Sequence, residues 1–155
     1  AQLFGEVGYA ITLGDAALEP FASVAYVNLR TGGFTETGGV AALSAADQSL
    51  DATFTTLGLR GSALLGVANG VAVTARGTLG WRHAFGDVTP ELTFALSGDV
   101  PFTIAGVPIA RDAAVVEAGL DIAISPDARL GIGYSGQLAG DAEDHGVRGN
   151  FVLRF

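Results

Sequence analysis

Apolar and polar residues alternate with a period of two along most of this chain. In residues 2–12, Leu3, Val7, Tyr9 and Ile11 fall on one face, and Glu6 falls on the other. Such alternation is typical of β-strands that have two different environments on their two faces. The same pattern predicts six further strands, at residues 18–30, 52–64, 71–83, 113–124, 129–138 and 147–155.

The connections between these strands are of two kinds. Residues 13–17, the Asn69-Gly70 dipeptide and residues 125–128 predict tight turns. Residues 31–50 and 84–112 are long and polar, and the second stretch contains two short strand-like runs that predict a β-hairpin. Strands that alternate in this way can close into a barrel in a bacterial outer membrane. Such barrels have short turns on the periplasmic side and long loops outside the cell. We therefore expect both long segments to lie outside the cell, with recruitment of the 90–105 hairpin into the wall as an alternative.

The hydrophobic content has to be carried by strands. Of the 155 residues, 49% are hydrophobic, and the mean hydropathy is +0.43. A membrane helix needs about 20 consecutive apolar residues, and no run of that length is present. In a membrane barrel, one face of each strand meets lipid and the other meets a polar lumen. The sequence thus predicts an all-β, antiparallel outer-membrane β-barrel, formed as one domain over residues 1–155.

Charged residues cluster on the face that is predicted to point into the lumen. They are Glu6, Glu19, Arg60, Arg76, Arg82, Glu117, Asp121, Arg129, Arg148 and Arg154. An ionised side chain on the lipid face would cost roughly 2–4 kcal/mol at mid-membrane, which favours the inward orientation. Such charges either pair with one another around a hydrated interior or contact a polypeptide that threads the pore.

Overall charge and composition exclude some functions. The net charge of −8 and the pI near 4.4 argue against a nucleic-acid partner, since little here would neutralise phosphates. The absence of cysteine is compatible with passage through an oxidising periplasm.

Three motifs lack the context that their chemistry needs. Gly131-Ile-Gly-Tyr-Ser-Gly136 fits the dinucleotide-binding pattern, but it lies within one predicted strand with no helix after it. The histidines, His83 and His145, are far apart in sequence, which disfavours a serine hydrolase. A loop with Asp141, Glu143, Asp144 and His145 could bind a divalent cation or be a solvated acidic loop. We therefore predict no catalytic, cofactor or metal site.

Six ordered motifs resemble the C-terminal β-domain of autotransporters, the type Va secretion family. They are Phe4-Gly-Glu-Val-Gly-Tyr9, Leu18-Glu-Pro-Phe21, Leu57-Gly-Leu-Arg60, Gly80-Trp-Arg-His-Ala-Phe-Gly86, Gly106-Val-Pro-Ile-Ala-Arg-Asp112 and the terminal Phe155. The resemblance implies a twelve-stranded barrel in the bacterial outer membrane that anchors and exports an N-terminal passenger. It also implies assembly by the barrel-assembly machinery, with periplasmic chaperones as further partners.

The resemblance further implies that the last strand is an assembly signal. By position this role falls on Gly149, Phe151, Leu153 and Phe155, with contact to outer-membrane lipid as the simpler explanation. The chain supplies only about seven or eight of the twelve strands and no passenger or plug helix, so we expect it to be a C-terminal piece. The alternative is a small stand-alone or trimmed barrel with a structural or adhesive role.

Overall fold

The computed structural model describes residues 1–39, 41–96, 100–140 and 142–155, and these residues form twelve β-strands. The strands are β1 (Gln2–Gly8), β2 (Ile11–Leu13), β3 (Ala16–Thr31), β4 (Phe34–Thr35), β5 (Leu43–Ala45), β6 (Gln48–Ala68), β7 (Val71–Gly86), β8 (Glu91–Leu96), β9 (Phe102–Ala105), β10 (Asp112–Ala123), β11 (Ala128–Leu138) and β12 (Glu143–Leu153). The prediction of an all-β fold is confirmed.

Seven long strands make one antiparallel sheet, which we call the wall. Its order is β1-β3-β6-β7-β10-β11-β12, so each strand lies beside its neighbour in the chain apart from the short outer strands. β2 continues the line of β1 along β3, and a hydrogen bond of 3.1 Å from the Tyr9 amide to the Pro20 carbonyl spans the break between them. β1 and β12 are the two edges of the wall, and among the residues that the structure describes the sheet does not close between them.

Several wall strands extend past their predicted limits. β6 begins at Gln48 instead of residue 52 and ends at Ala68 instead of residue 64, and β12 runs from Glu143 to Leu153 instead of from 147 to 155. At the start of β12, Glu143, Asp144 and His145 put polar side chains on both faces, and at the end of β6, residues 65–68 are apolar or glycine on both faces. Alternation is therefore too weak there to define a boundary.

The predicted Asn69-Gly70 hairpin is confirmed at the β6–β7 turn. Asn69 has a φ of 52° and Gly70 a φ of 82°, which is the backbone that a two-residue type I′ turn requires. Gly14 also has a positive φ, of 62°, at the β2–β3 turn. Both turns lie at the same end of the wall, together with the short connection between β10 and β11.

A second sheet, which we call the outer sheet, forms at the opposite end of the wall. Its order is β4-β5-β8-β9, so strands from the two long segments pair with each other. The predicted hairpin is confirmed as β8–β9, but the alternative that it joins the wall is wrong, because β8 pairs with β5. β4 and β5 were not predicted, since strands of two and three residues are too short to show a period.

Large apolar side chains point outward from the wall in place of forming a central core. Leu79 is 65% exposed and Ile132 is 54% exposed, whereas the buried apolar residues are small, apart from Phe21. In the described residues, no helix is long and apolar enough to cross a membrane. Apolar strand faces of this kind are stable when lipid covers them.

Candidate functional site

Strand register places nine of the ten predicted charges on one face of the wall, which we call the charged face. In one row across the sheet, Glu19 is opposite Arg60, Arg60 is opposite Thr78, and Thr78 is opposite Glu117. Since side chains alternate along each strand, the remaining charges of β1, β7, β10, β11 and β12 fall on the same side. Arg154 follows β12 and lines a cavity with Arg129 on this side.

Arg60 is the centre of the most connected group on the charged face. Its two terminal nitrogens lie 2.7 and 2.8 Å from the two carboxylate oxygens of Glu6, and one of them also lies 3.2 Å from Glu19. The guanidinium carbon is 3.9 Å from the centre of the Phe21 ring. Bidentate pairing and stacking on an aromatic ring both use the planar shape of arginine, which lysine lacks.

Gly58 makes room for this group. A Cβ atom at Gly58 would come within 2.5 Å of the Phe21 ring, so any other residue there would displace the ring. Phe21 is only 9% exposed. It is the largest of the buried apolar residues in the described part of the chain, and the others are alanines. The glycine therefore lets the aromatic ring pack against β6 next to the arginine.

A second group of polar contacts lies on β7, β10 and β11. Arg76 donates to Asp121 at 2.7 Å, and the Thr78 hydroxyl donates to Glu117 at 3.0 Å. Arg82 donates to the side-chain oxygen of Gln137 at 2.8 Å. These contacts satisfy several of the charges without a partner from outside the sheet.

Two of these contacts pass over an intervening strand. Arg60 on β6 reaches Glu6 on β1 across β3, and Arg82 on β7 reaches Gln137 on β11 across β10. Strands two apart in a sheet are separated by about 9.6 Å, so such contacts are easiest where the sheet curves toward the side chains. In the described residues, the wall side chains that reach over an intervening strand lie on the charged face. The charged face is therefore the concave side of the wall.

Basic residues gather toward the end of the charged face where the tight turns lie. Arg129, Arg148 and Arg154 have no ion-pair partner among the residues that the structure describes. Arg129 and Arg154 line a cavity of about 590 Å³ together with Arg76 and Asp121. This part of the face therefore has more positive than negative charge.

The opposite face has polar groups only near the end that bears the outer sheet. Trp81 and His83 both bond to Asp112, at 3.0 and 2.7 Å, and the Tyr26 hydroxyl donates to Asp51 at 2.6 Å. The pairing of Trp81 with Asp112 was not predicted, because the two residues lie 31 positions apart in sequence. Aromatic residues with a polar atom are common at the edges of membrane-spanning bands.

The four residues of the predicted assembly signal lie on or just after β12. Gly149, Phe151 and Leu153 are opposite Ile132, Leu130 and Ala128 of β11, on the apolar face. Phe151 is 61% exposed, and Phe155 follows two residues after the end of the strand.

The rejected motifs lie on the wall as well. Gly131 to Gly136 is part of β11, with the Tyr134 hydroxyl over Gly136 and 2.7 Å from His145. Of the acidic loop, Asp141 lies outside the described residues, and His145 contacts Glu143 at 3.5 Å. Within the described ranges, no cluster of three or more metal-ligating side chains is found.

Comparison with known proteins fits this two-faced wall. A sequence profile described as the autotransporter beta-domain matches residues 1–135. The chain belongs to the autotransporter β-domain family. Autotransporter β-domains are β-barrels of the bacterial outer membrane, so this is an outer-membrane domain.

Two curated relatives match the autotransporter domain over almost its whole length. Both are named extracellular serine protease, both come from Serratia marcescens, and each is 40% identical over 156 residues, or 99% of this chain. The matched segment spans only 15% of each relative. The similarity therefore concerns this domain and leaves most of each relative unmatched.

Proposed function

We propose that this domain anchors an N-terminal passenger in the outer membrane and provides part of the channel through which the passenger reaches the cell surface. The observation that carries the proposal is the wall itself, with a concave charged face and a convex apolar face in a chain of the autotransporter family. Lipid would cover the apolar face, and the charged face would line water. We assign the end with the outer sheet to the cell exterior, because tight turns lie at the other end.

The directions of the edge strands determine how the channel could close. β1 and β12 are the first and seventh strands of an antiparallel series, so they run in the same direction. Closure with antiparallel neighbours alone therefore needs an odd number of further strands, and five would give the twelve that the family implies. A barrel of eight strands is filled by its own side chains, whereas a wider one leaves space for a chain.

We infer that the charged face contacts the passenger segment inside the channel. Ion pairs hold Glu6, Arg60, Arg76 and Asp121, but the basic residues near the periplasmic end have no such partner among the described side chains. A polypeptide in an extended form presents carbonyl oxygens and carboxylates that arginine can bind. Positive and negative side chains would both contact the passenger, and each contact would be weak because it is exposed to water. The passenger could then move along the channel without being trapped.

We also propose that β12 is recognised during assembly. In the described ranges, no strand lies beside its outer edge, and Phe151 and Leu153 belong to the apolar face at that edge. An open edge can pair with a strand of another barrel, and alternate side chains then give specificity. The barrel-assembly machinery and periplasmic chaperones are the partners that this proposal implies.

Catalysis is assigned to the passenger and not to this domain. The relatives are named serine proteases, but this domain spans 15% of their length. The family of this domain, the autotransporter beta-domain, supports the same assignment.

Export is tested with the full-length precursor that carries this domain, with an epitope tag in the passenger. We expect the tag to be reached by antibody and protease on intact cells. In a matched control, the whole β-domain is replaced by an eight-stranded outer-membrane barrel, and we expect the tag to remain protected until the outer membrane is opened. The measurement is surface labelling relative to labelling of opened cells.

A second function class, display or adhesion by a structural barrel, is favoured by the outer sheet, since two long segments combine there into one exposed unit. This second function predicts one of two results. Either the tag is labelled equally on intact cells in the precursor and the control, or the tag stays protected from antibody while the outer sheet is reached by it. Either outcome would contradict the export proposal.

A further inference from the structure

Three aromatic side chains lie at one level on the apolar face of the wall, near the end that bears the outer sheet. β3 and β7 end five residues beyond Tyr26 and Trp81, and β11 ends four residues beyond Tyr134. These three strands run in the same direction, with one strand between each and the next. The aromatic residues therefore follow the outer rim of the wall, where a lipid-covered face meets the lipid headgroups.

Tyr26 shares a carboxylate with a neighbouring amide. Its hydroxyl donates to Oδ1 of Asp51 on β6 at 2.6 Å, and the side-chain nitrogen of Asn28 donates to the same oxygen at 2.7 Å. Asn28 and Asp51 are opposite each other in the sheet, which puts all three side chains on the apolar face. We call Tyr26, Asn28 and Asp51 the Asp51 site.

Trp81 takes part in the same arrangement two strands further on. Its indole nitrogen donates to Oδ1 of Asp112 on β10 at 3.0 Å, and Nδ1 of His83 lies 2.7 Å from the same oxygen. The His83 ring lies between two aromatic rings, with centroids 5.6 Å from Trp81 and 4.4 Å from Phe85. We call Trp81, His83 and Asp112 the Asp112 site, and its stacked rings form a flat surface beside the carboxylate.

The group around Tyr134 differs from these two. The Tyr134 hydroxyl lies 2.7 Å from Nδ1 of His145, and Nε2 of His145 lies 3.5 Å from Glu143. Glu143 is thus not held by the aromatic side chain, and only the first two groups share one arrangement.

Both sites leave one carboxylate oxygen available. The two donors of each site share Oδ1, and among the described residues Oδ2 of Asp51 and Oδ2 of Asp112 have no hydrogen-bond partner. The Asp112 side chain is 59% exposed. A carboxylate oxygen at the edge of a lipid-covered face needs donors from outside the protein, because the neighbouring apolar surface offers none. The groups that reach this level of the wall are lipid headgroups.

The charges near the two sites select the chemistry of the headgroup. Arg30 follows the Asp51 site on the same face of β3, whereas Arg111 lines a cavity with Leu29 at the mouth of the concave side. Asp51 and Asp112 therefore outnumber the basic residues on the apolar face here, and they would repel a phosphate that no cation bridges. A sugar hydroxyl can donate to a carboxylate oxygen, and the C–H face of a sugar ring packs on an aromatic ring. Sugar thus fits both features that the two sites share.

We propose that the Asp51 site and the Asp112 site each bind the sugar headgroup of a lipid in the leaflet on the side of the outer sheet. Oδ2 of each aspartate accepts hydrogen bonds from sugar hydroxyls, and the rings of Tyr26 and Trp81 pack against the sugar. The two sites fix the depth of the barrel in the membrane. They require only that lipid covers the apolar face, so they hold whether or not this domain exports a passenger.

The test uses the assembled full-length precursor in lipid nanodiscs. The nanodiscs contain equal amounts of phosphatidylglycerol and digalactosyl diacylglycerol with the same acyl chains, and the second lipid has sugar but no phosphate. After transfer into detergent, the lipids that stay on the barrel are counted by native mass spectrometry. We expect about fivefold more sugar lipid than phospholipid, which corresponds to roughly one net hydrogen bond per site.

Two double variants with the same change in charge locate the effect. Asp51→Asn/Asp112→Asn removes both charged acceptors and is expected to abolish most of the preference. Asp15→Asn/Asp127→Asn removes two carboxylates from the tight turns at the other end of the wall and is expected to keep it. In the wild type, a photoreactive group on the terminal sugar is expected to crosslink to residues 24–30, 49–55 or 81–83, which tests the location without any substitution.

The outcomes bear on the headgroup sites alone, since surface labelling of the passenger is not measured. Equal retention of the two lipids by the wild type, equal losses in the two double variants, or crosslinks confined to the end with the tight turns would each overturn the sites. A preference for a phosphorylated lipid that needs Mg²⁺ and disappears with a chelator would also overturn them, in favour of a cation bridge. If Asp51→Asn/Asp112→Asn loses the heat-resistant barrel band, the crosslinks of the wild type decide.

Discussion

Replacing Arg60 with glutamate is expected to reduce the amount of folded barrel in the outer membrane at least tenfold. The substitution removes the bidentate pair with Glu6, the contact with Glu19 and the cation above Phe21, and it places a third carboxylate among them. Arg60 is 38% exposed, so solvent screens its ion pairs and their loss alone accounts for only a small part of the effect. The larger part comes from the third carboxylate, which repels Glu6 and Glu19 and has no cation beside it. The measurement is the heat-resistant barrel band on a mild SDS gel.

The controls for this substitution use the same face. Arg82→Glu removes a single hydrogen bond to a neutral side chain, Gln137, and we expect a smaller loss. A charge swap, Arg60→Glu with Glu6→Lys, restores one pair and is expected to recover part of the folded barrel. Equal losses for Arg60→Glu and Arg82→Glu, with no recovery in the swap, would show that the Arg60 group does not hold the wall together.

Replacing Phe151 with aspartate is expected to lower assembly in cells by more than tenfold. Phe151 lies on the apolar face of β12 and is 61% exposed, so the change puts a carboxylate against lipid and removes an aromatic side chain from it. Fully burying an aromatic side chain contributes about 1.5–3 kcal/mol, and a charge in the lipid band adds a further cost. The measurement compares the assembled barrel in cells with refolding of the purified precursor in detergent.

Asn150→Asp is the matched control, because it introduces the same residue one position earlier on the charged face. There the carboxylate shares a cavity with Asp121 but also with Arg76, Arg129 and Arg154, so positive charge predominates and we expect near-normal assembly. If β12 is an assembly signal, Phe151→Asp is more harmful in cells than in detergent, and more harmful in cells than Leu120→Asp on β10. If Phe151→Asp is equally harmful in cells and in detergent, and equal to Leu120→Asp in cells, Phe151 serves only as a lipid-facing residue.

The wall was predictable because its information is local. A period of two is visible within ten residues, and it was enough to find seven strands, to place ten charges on a common face and to recognise the Asn69-Gly70 turn. The ends of β6 and β12 were missed where residues of one kind, polar at the start of β12 and apolar or glycine at the end of β6, occupy both faces. Alternation locates a strand but does not define its limits.

The contacts that make the candidate site depend on long-range register and were not predictable in the same way. Arg60 and Glu6 are 54 positions apart, and no local pattern states that they meet across β3. The pairing of β5 with β8 also joins segments 51 positions apart. Once the register is known, alternation shows that the outer sheet has an apolar face, although its short strands gave no periodic signal of their own.

The most direct test of the central claim is single-cysteine labelling along β10 in the assembled barrel. The chain contains no cysteine, so each introduced thiol in this domain is unique. We expect a water-soluble maleimide to label cysteines at positions 115, 117 and 121, on the charged face. Cysteines at positions 116, 118 and 120 are expected to react only with a lipid-soluble reagent. Labelling without this alternation, or with the opposite alternation, would contradict a wall whose charged face lines a water-filled channel and whose apolar face meets lipid.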